Sequence, residues 1–363
     1  MIRSFHSFHP KEARLLTSDR IKNLSLIKLF LNYGISAILA IAFLYVAFYD
    51  VNFGEVLKLV SGASIFWVMA FILSFFLGHI IRTLRWKVIL NSVKPHASFK
   101  HLFGALMVGY GVNCVTPKVG EISRAVLLGR WENLSRSSML GTIIVERVID
   151  IVSLGLAVII SAYVWRENLY DKFPWLESTL YIAGAIMLGI IFLIILAILF
   201  KDKFFGFIIK LFGKISEKLA HKLAYIFEML TEGFSSLKGI RNYVYTILLT
   251  IVLMLVYAFS SYLGFFMLDI KPVTYEMGWV LMSIAAIGVV IPTPGATGSY
   301  HTLAKTTLVL LFGFGETISA AYAFLTHIIS YFLFIFTALI VYFVFNKQRN
   351  NIIHPIDTKQ DNI

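Results

Sequence analysis

Long apolar segments, separated by shorter polar and basic ones, make up most of the chain. Six of the apolar segments hold about 17 residues or more, which is enough for a helix to cross a lipid bilayer. They are Leu31–Tyr49, Ile65–Ile81, Met139–Trp165, Leu180–Phe200, Tyr243–Leu268 and Ala320–Phe345. This pattern predicts an all-α, polytopic membrane protein with about six full transmembrane helices.

A further apolar region is interrupted by the helix-breaking stretch 291–301. Its two prolines and two glycines are Pro292, Pro294, Gly295 and Gly298. The arm before the break, 278–291, has 14 residues and rises about 21 Å as a helix, whereas the hydrocarbon core is about 30 Å thick. Irregular backbone is tolerated at this depth only where protein or water covers it. We therefore predict a re-entrant helical hairpin, with an ordinary loop between two spans as the alternative.

A second short arm, 102–115, ends at Thr116, Pro117 and Gly120 and predicts another hairpin. Lysine and arginine concentrate in the connections on one side of the predicted spans, and such connections face the cytoplasm. They are the N-terminus, 82–100, 118–136, 201–241 and the tail. The basic connections all lie on the cytoplasmic side only if both hairpins return to the side from which they enter.

The resulting topology divides residues 31–345, a single transmembrane domain, into inverted halves at 31–165 and 180–345. Each half consists of two spans, a hairpin and a further span. Residues 1–30 form a basic cytoplasmic N-terminus, and residues 346–363 form a cytoplasmic tail. Interrupted short segments at matching positions of two inverted halves point to the central site of a transporter. We expect a multi-pass protein of the cell inner membrane with two re-entrant hairpins in an inverted repeat.

Composition supports this class and disfavours several others. Of the 363 residues, 58% are hydrophobic and 14% are charged, and the mean hydropathy is +0.81, whereas a soluble domain carries about 25% charged residues. Cys114 is the only cysteine, so no intramolecular disulfide is available. Zinc-binding and phosphate-loop motifs are missing from the sequence. We expect no cofactor, no metal and no nucleic-acid partner.

Part of the formal charge of +12 lies in the segment 204–238. There Lys210, Lys214, Lys218 and Lys222 recur every four residues, and this spacing places them in one stripe along a helix. We predict a cytoplasmic amphipathic helix, which either lies on the anionic membrane surface or packs beneath the helical bundle.

Charged residues also lie within or at the ends of predicted spans, where each costs about 2.5 to 3.5 kcal/mol at mid-membrane. Glu146, Arg147 and Asp150 lie in the third span, and Arg82 and Arg85 follow the second. One interpretation is a self-satisfied ion cluster, with terminal arginines that extend to the interface. The other is that the arginines bind a phosphate, whose oxygens match the guanidinium fork, while the acids tune its release or couple protons.

The predicted hairpin tips add polar residues near buried helix N-termini, which favour anions. In the first hairpin the candidates for substrate binding are Asn113, Glu121 and Arg124. In the second they are Pro294, Gly295, Gly298, Tyr300, His301 and Lys305. We predict that both tips meet around the charged residues of the spans. The candidate ligands of the phosphate are Arg124, Arg147, His301 and Lys305.

Four motifs point to a known family. They are Leu84-Arg85-Trp86, Asn113-x-x-x-Pro117-x-x-Gly120-Glu121-x-x-Arg124, Glu146-Arg147-x-x-Asp150 and Pro292-Thr-Pro-Gly-x-x-Gly298. With them, residues 31–345 resemble the flippase-like family typified by the transmembrane region of lysylphosphatidylglycerol synthase. The resemblance implies a lipid translocase fold that handles phospholipids or lipid-linked substrates. Ala296 and His301 depart from it, because family members often carry glycine and an acid there.

The soluble transferase domain of those synthases is missing from the sequence, so we expect no lipid aminoacylation. The leading hypothesis is a lipid flippase-like transporter, rather than an enzyme, that acts on an anionic phospholipid or a lipid-linked headgroup. One alternative is a membrane-embedded transferase that uses a polyprenyl-phosphate or phospholipid donor, with Glu121 or Asp150 as general base. The other is a membrane partner that recruits a soluble lipid-modifying enzyme through residues 204–238.

Overall fold

The computed structural model describes residues 33–91, 93–134, 136–165 and 239–353, with isolated positions between 178 and 220. Within these residues every regular element is helical and none is a strand. They include three helices long and apolar enough to cross a membrane, or four if two helices that meet at 84° form one span. The prediction of an all-α membrane protein is confirmed, while the count of six spans and the inverted repeat stay predictions.

The described part of the chain forms helices separated by short turns. In order they are α1 (Tyr33–Phe48), α2 (Phe53–Ser61), α3 (Ile65–Leu90), α4 (Phe99–Val115), α5 (Gly120–Glu132), α6 (Arg136–Val164), α7 (Ile240–Met267), α8 (Tyr275–Val290), α9 (Ser299–Thr306) and α10 (Glu316–Ile353). A 3₁₀ turn, Pro294–Ala296, precedes α9, and a π-helical turn, Thr307–Leu311, follows it. The three helices with the length and apolarity of a span are α3, α7 and α10.

Two buried apolar clusters hold these helices together. The first joins α3, α4, α5 and α6 through Trp86, Leu90, Leu102, Leu106, Leu128 and Met139. The second joins α7, α8, α9 and α10 through Phe265, Leu281, Ala304 and Tyr322. Between the clusters α3 lies along α7, where a Cβ added to Gly78 would lie 2.9 Å from the ring of Tyr257. The glycine therefore sets the close approach of the two long helices.

The predicted connection between the first two spans is in fact largely helical. Within residues 50–64, α2 starts after Asn52, whose Oδ1 accepts hydrogen bonds from the backbone N–H groups of Gly54 at 3.0 Å and Glu55 at 3.3 Å. Asn52 followed three residues later by Glu55 is a helix-start signal. The search for long apolar runs overlooked this signal because the helix has only nine residues.

The first hairpin consists of α4 and α5, which approach each other closely at two glycines. A Cβ on Gly120 would lie 2.0 Å from the carbonyl oxygen of Gly109, and one on Gly109 would lie 2.9 Å from that of Gly120. The side chain of Asn113 accepts a hydrogen bond from the backbone N–H of Gly120 at 2.8 Å, at the start of α5. The structure thus contains the predicted helix–turn–helix, and its re-entrant path through a bilayer stays a prediction.

The second hairpin consists of α8 and α9. Ser299 Oγ donates a hydrogen bond to the carbonyl oxygen of Gly288 at 2.7 Å, which closes the two arms on each other. In the break between the arms, Gly295 and Gly298 have φ angles of 55° and 84°, values that favour glycine. Ala296 has a φ of 59°, so the departure from glycine noted above places a side chain in a left-handed conformation.

The tips of the two hairpins contact each other. A Cβ on Gly295 would lie 3.2 Å from Cα of Cys114 and 2.7 Å from the ring of Tyr331. The Tyr331 hydroxyl donates to the carbonyl oxygen of Cys114 at 3.0 Å, and His327 Nε2 bonds the carbonyl oxygen of Gly295 at 2.9 Å. Two side chains of α10 therefore tie the tips together, in agreement with the prediction that the hairpins meet.

Several predicted segments lie wholly or largely outside the described residues. They are the N-terminus at 1–30, the fourth span at 180–200, the amphipathic segment at 204–238 and the end of the tail at 354–363. The domain boundaries and the amphipathic helix accordingly stay predictions.

Candidate anion-binding site

Three helices bring six charged side chains together. Arg82 and Arg85 come from α3, Arg124 from α5, and Glu146, Arg147 and Asp150 from α6. Spacings of three and four residues place each of these pairs of arginines and acids on one face of its helix. We call the six residues the arginine cluster. It contains the five charged residues singled out above in the third span and after the second, together with Arg124 of the first hairpin.

Glu146 lies at the centre of the arginine cluster. Its side chain has no solvent exposure, and all four arginines contact it. The nitrogen–oxygen distances are 2.8 Å from Arg82, 3.5 Å from Arg85, 2.8 Å from Arg124 and 3.1 Å from Arg147. One carboxylate is therefore shared among four guanidinium groups.

Asp150 is the second acceptor, one helical turn beyond Glu146. Its two carboxylate oxygens accept hydrogen bonds from Arg82 and Arg85. A third guanidinium, that of Arg147, lies 2.7 Å away. The two acids together hold α3 and α6 in register.

The cluster is buried on one side and open on the other. Arg82, Arg85 and Arg124 are 6%, 0% and 3% exposed, so Arg82 and Arg85 do not extend to the interface as one interpretation suggested. This part of the interpretation fails because α3 continues past Ile81 to Leu90 and keeps both arginines within the helix. The side chain of Arg147 is 37% exposed and forms the open side.

The cluster carries more positive charge and more hydrogen-bond donors than its acids can satisfy. Four arginines and two carboxylates give a formal charge of +2. Buried donor atoms without a hydrogen-bond partner within the described structure are Arg85 Nε, Arg124 Nη1 and Nη2, and Arg147 Nε. Arg124 Nη2 lies 2.8 Å from Glu146 Oε2, which is itself a buried acceptor without a hydrogen bond, so these two atoms form an ion pair. Among the described residues, Arg85 Nε, Arg124 Nη1 and Arg147 Nε are left with neither a hydrogen bond nor an ion pair. The arrangement can accept an additional anion.

Uncharged side chains complete the surroundings, and the sequence analysis did not assign them to a site. Arg124 lies 4.8 Å from the ring of Trp86. The ring of Tyr110 lies 5.7 Å from Arg82, which also donates to the Tyr257 hydroxyl at 3.4 Å. Arg85 donates to Thr250 Oγ1 at 3.3 Å. A usable signal was present: the polar residues Thr246, Thr250 and Tyr257 recur at helical spacing along a largely apolar span.

The candidates from the second hairpin form a separate group, away from the arginine cluster in their recorded contacts. The rings of His301 and His327 lie 4.4 Å apart, and Tyr300 shares a hydrogen bond of 3.0 Å with Thr326. Lys305 pairs with Glu316 at 2.6 Å. The structure therefore does not bring His301 and Lys305 to Arg124 and Arg147, and these two side chains face α10 instead.

The remaining candidates lie at the hairpin tips. Asn113 donates to Glu121 at 3.4 Å and caps the start of α5, so both residues stabilise the first tip. Pro294 and Gly295 form the second tip. At Gly298 a Cβ would lie 2.5 Å from the carbonyl oxygen of Ala40, so this glycine allows α1 to pack closely.

Comparison with known proteins agrees with the motifs. Residues 31–338 match a family described as the lysylphosphatidylglycerol synthase TM region. A UPF0104 membrane protein of Methanocaldococcus jannaschii is 25% identical over 283 residues, which cover 73% of this chain and 80% of that protein. One from Pyrococcus horikoshii is 22% identical over 76% of this chain and 86% of its own length. No solved structure matches the chain. Because the match covers most of its length, the chain belongs to the lysylphosphatidylglycerol synthase transmembrane-region family of membrane proteins.

Proposed function

We propose that this protein is a lipid translocase that moves an anionic phospholipid or a lipid-linked headgroup across the cytoplasmic membrane. The headgroup binds at the arginine cluster while the acyl chains stay in the surrounding lipid. The observation that carries the proposal is the formal charge of +2 on the arginine cluster, three of whose four arginines are buried beside α3, a helix with the apolar character of a membrane span. An anionic headgroup supplies the charge and the acceptors that the cluster lacks.

A purely structural role explains the cluster less well. Removing an ion from water costs several kcal/mol, which its partners offset only when charges and hydrogen bonds are matched. Each buried donor left unpaired costs about 1 to 3 kcal/mol more. The cluster has two more guanidinium groups than carboxylates and, in the part of the chain that the structure describes, three buried donor atoms with neither a hydrogen bond nor an ion pair. A phosphate group offsets both costs at once, because its oxygens accept from guanidinium forks.

The open side of the cluster gives the headgroup a way in. Arg147 has 37% of its side chain exposed and Asp150 has 19%, whereas Glu146 and Arg85 are fully enclosed. The headgroup first contacts Arg147 and then reaches Arg124, whose unpaired donor lies deeper. Asp150 and Glu146 compete for the same guanidinium groups and therefore promote release.

In this proposal the contact between the hairpin tips corresponds to the closed state of the transporter. Cys114 and Gly295 pack against each other and are bridged by Tyr331. Passage of a headgroup requires these tips to separate while Lys305 and its partner Glu316 move with the second hairpin. We assign the second hairpin to the outer gate, with both termini cytoplasmic.

Transport by the purified protein tests the proposal. Liposomes that contain the protein and a fluorescent phosphatidylglycerol are treated with dithionite, which bleaches only the outer leaflet. A double substitution, Arg124→Gln with Arg147→Gln, removes charge-assisted bonds of about 1.5 to 3 kcal/mol each. The rate of lipid movement should fall at least about tenfold.

The matched control replaces two exposed arginines outside the cluster, Arg130→Gln with Arg241→Gln, and should keep the wild-type rate. A cluster double variant that retains more than half of that rate contradicts the assignment of the site. Wild-type liposomes that behave like protein-free ones contradict the translocase itself. Formation of a modified lipid in detergent, where transport cannot be scored, would instead support a membrane-embedded transferase.

A further inference from the structure

We infer that the arginine cluster is built for a headgroup with two negative charges: a lipid that ends in a phosphate monoester, rather than the singly charged phosphodiester of a common phospholipid. The inference rests on the proposed function only in taking the ligand to be a lipid. It is argued from the formal charge of the arginine cluster and from the number of its unpaired guanidinium nitrogen atoms, and both come from the contacts of six side chains.

The charge balance favours a dianion. All four guanidinium groups contact Glu146, and those of Arg82, Arg85 and Arg147 also contact Asp150, which leaves a formal charge of +2. The other recorded partners of the cluster, Tyr110, Tyr257, Thr250 and Trp86, are uncharged. Glu121, one turn before Arg124 on α5, accepts from Asn113 instead. A monoanion would leave one positive charge of the cluster without a counter-ion. Three of its four arginines are buried, and an unmatched charge is costly where burial removes it from water.

The donor count points the same way. Among the described residues, three buried guanidinium nitrogen atoms have neither a hydrogen bond nor an ion pair: Arg85 Nε, Arg124 Nη1 and Arg147 Nε. A phosphate monoester presents three terminal oxygens that share two negative charges, whereas a diester presents two that share one. The monoester therefore matches both the number of unpaired donors and the excess charge. The same chemistry is offered by a lipid phosphate and by free inorganic phosphate.

The experiment measures binding, independently of transport. Wild-type protein in phosphatidylcholine-containing micelles is titrated in three arms, with dioleoyl phosphatidic acid, with dioleoyl phosphatidylglycerol and with inorganic phosphate. At about pH 8 a phosphate monoester is doubly charged, since its second pKa is about 6. Because of the extra charge, phosphatidic acid should bind with a dissociation constant at least about tenfold lower than phosphatidylglycerol. Equal binding, or a preference for phosphatidylglycerol, overturns the inference.

Substitution of Arg147 tests the charge count directly. Arg147→Gln lowers the formal charge to +1, so the preference for phosphatidic acid should shrink to about twofold or less. Arg147→Lys keeps the charge and should keep the preference. The exposed arginine on α5 gives the control, Arg130→Gln, which should behave like the wild type. A full preference in Arg147→Gln would show that the charge balance does not select the ligand.

The arms separate this inference from the proposed function. Inorganic phosphate that binds as tightly as phosphatidic acid supports the dianion and removes the reason to call the ligand a lipid. Selective binding of phosphatidic acid without any lipid movement in liposomes supports the inference and overturns the translocase. Movement of phosphatidylglycerol in liposomes, together with equal binding of both lipids, supports the translocase and overturns the inference.

Discussion

Glu146 is the residue on which the arginine cluster depends. Four guanidinium groups lie within 3.5 Å of its carboxylate, and its side chain is fully enclosed. Removing one partner of a buried ionic group costs about 3 to 5 kcal/mol, because the remaining charges keep their desolvation penalty. We expect Glu146→Gln to lower the melting temperature of the purified protein in detergent substantially, measured by differential scanning fluorimetry.

The control for this substitution is Glu55→Gln. Glu55 is exposed in the first turn of α2, where a carboxylate contributes only about 0.3 to 1 kcal/mol. Similar melting temperatures for both variants would mean that Glu146 is not the shared acceptor that its contacts describe.

For single residues, the sequence identified the charged members of the site but not their uncharged hydrogen-bond partners. Arg82, Glu146 and Asp150 stood out because charge is rare in apolar spans. Tyr110 and Tyr257 did not, since a tyrosine within an apolar helix is common and only the fold shows that both face Arg82. Charge marks a residue by itself, whereas a neutral hydrogen-bond partner becomes apparent only when two distant helices meet.

At the scale of elements, the first hairpin depends on two facing glycines. A Cβ on Gly120 would lie 2.0 Å from the carbonyl oxygen of Gly109, which belongs to the backbone and cannot rotate away. Gly120→Ala should therefore push α5 from α4, lower the free energy of unfolding by about 1 to 3 kcal/mol and displace Arg124. Thermal unfolding in detergent and the liposome assay both measure this effect.

A glycine with free space gives the comparison. Gly34 lies in α1, and no packing neighbour among the described residues comes within 4 Å of an added Cβ. Gly34→Ala should therefore leave stability unchanged or raise it, because alanine favours a helix by about 1 kcal/mol. If Gly120→Ala were as stable and as active as Gly34→Ala, the two arms of the hairpin would not be in close contact.

The contact between hairpin tips can be followed through the only cysteine. Cys114 is 3% exposed, and its carbonyl oxygen accepts from the Tyr331 hydroxyl at 3.0 Å. Tyr331→Phe removes a hydrogen bond worth about 0.5 to 1.5 kcal/mol, so the open population should rise about twofold to tenfold. The rate of Cys114 alkylation by N-ethylmaleimide, followed by intact-protein mass spectrometry, should rise by the same factor.

Tyr342 is the matched position, because it lies on the same helix, is exposed and is distant in sequence from the tips. Tyr342→Phe should leave the alkylation rate at the wild-type value. An unchanged rate in Tyr331→Phe as well would indicate that Tyr331 does not hold the tips closed.

The sequence predicted most elements because apolar length and helix-breaking residues determine them locally. Both hairpins were predicted from proline and glycine between arms too short to cross a bilayer. The short helix α2 was overlooked, since its start depends on the cap at Asn52 rather than on an apolar run. The separation of His301 from the arginine cluster was also beyond prediction, because it results from packing against His327 on another helix.

For the molecule as a whole, the long helix α3 shows which helix ends lie at the same end of the bundle. The backbone N–H of Ser64, at the start of α3, bonds the carbonyl oxygen of Met267 at 2.9 Å, so α3 begins where α7 ends. Beyond the other end of α3, Lys94 donates to the carbonyl oxygen of Glu132 at 3.3 Å, which places the end of α5 there. The 26 residues of α3 separate these two ends by about 39 Å.

We predict that α3 crosses the membrane, which would put its two ends on opposite sides, and that the end of α5 faces the cytoplasm, as the positive-inside rule indicates. Two exposed positions report on them: Asp269, just after α7, and Arg130, near the end of α5. In a Cys114→Ser background, Asp269→Cys should react with a membrane-impermeant maleimide on intact cells. Arg130→Cys should react only after permeabilisation. Labelling of Arg130→Cys on intact cells, with Asp269→Cys protected, would reverse the orientation, and labelling of both would rule out α3 as a span.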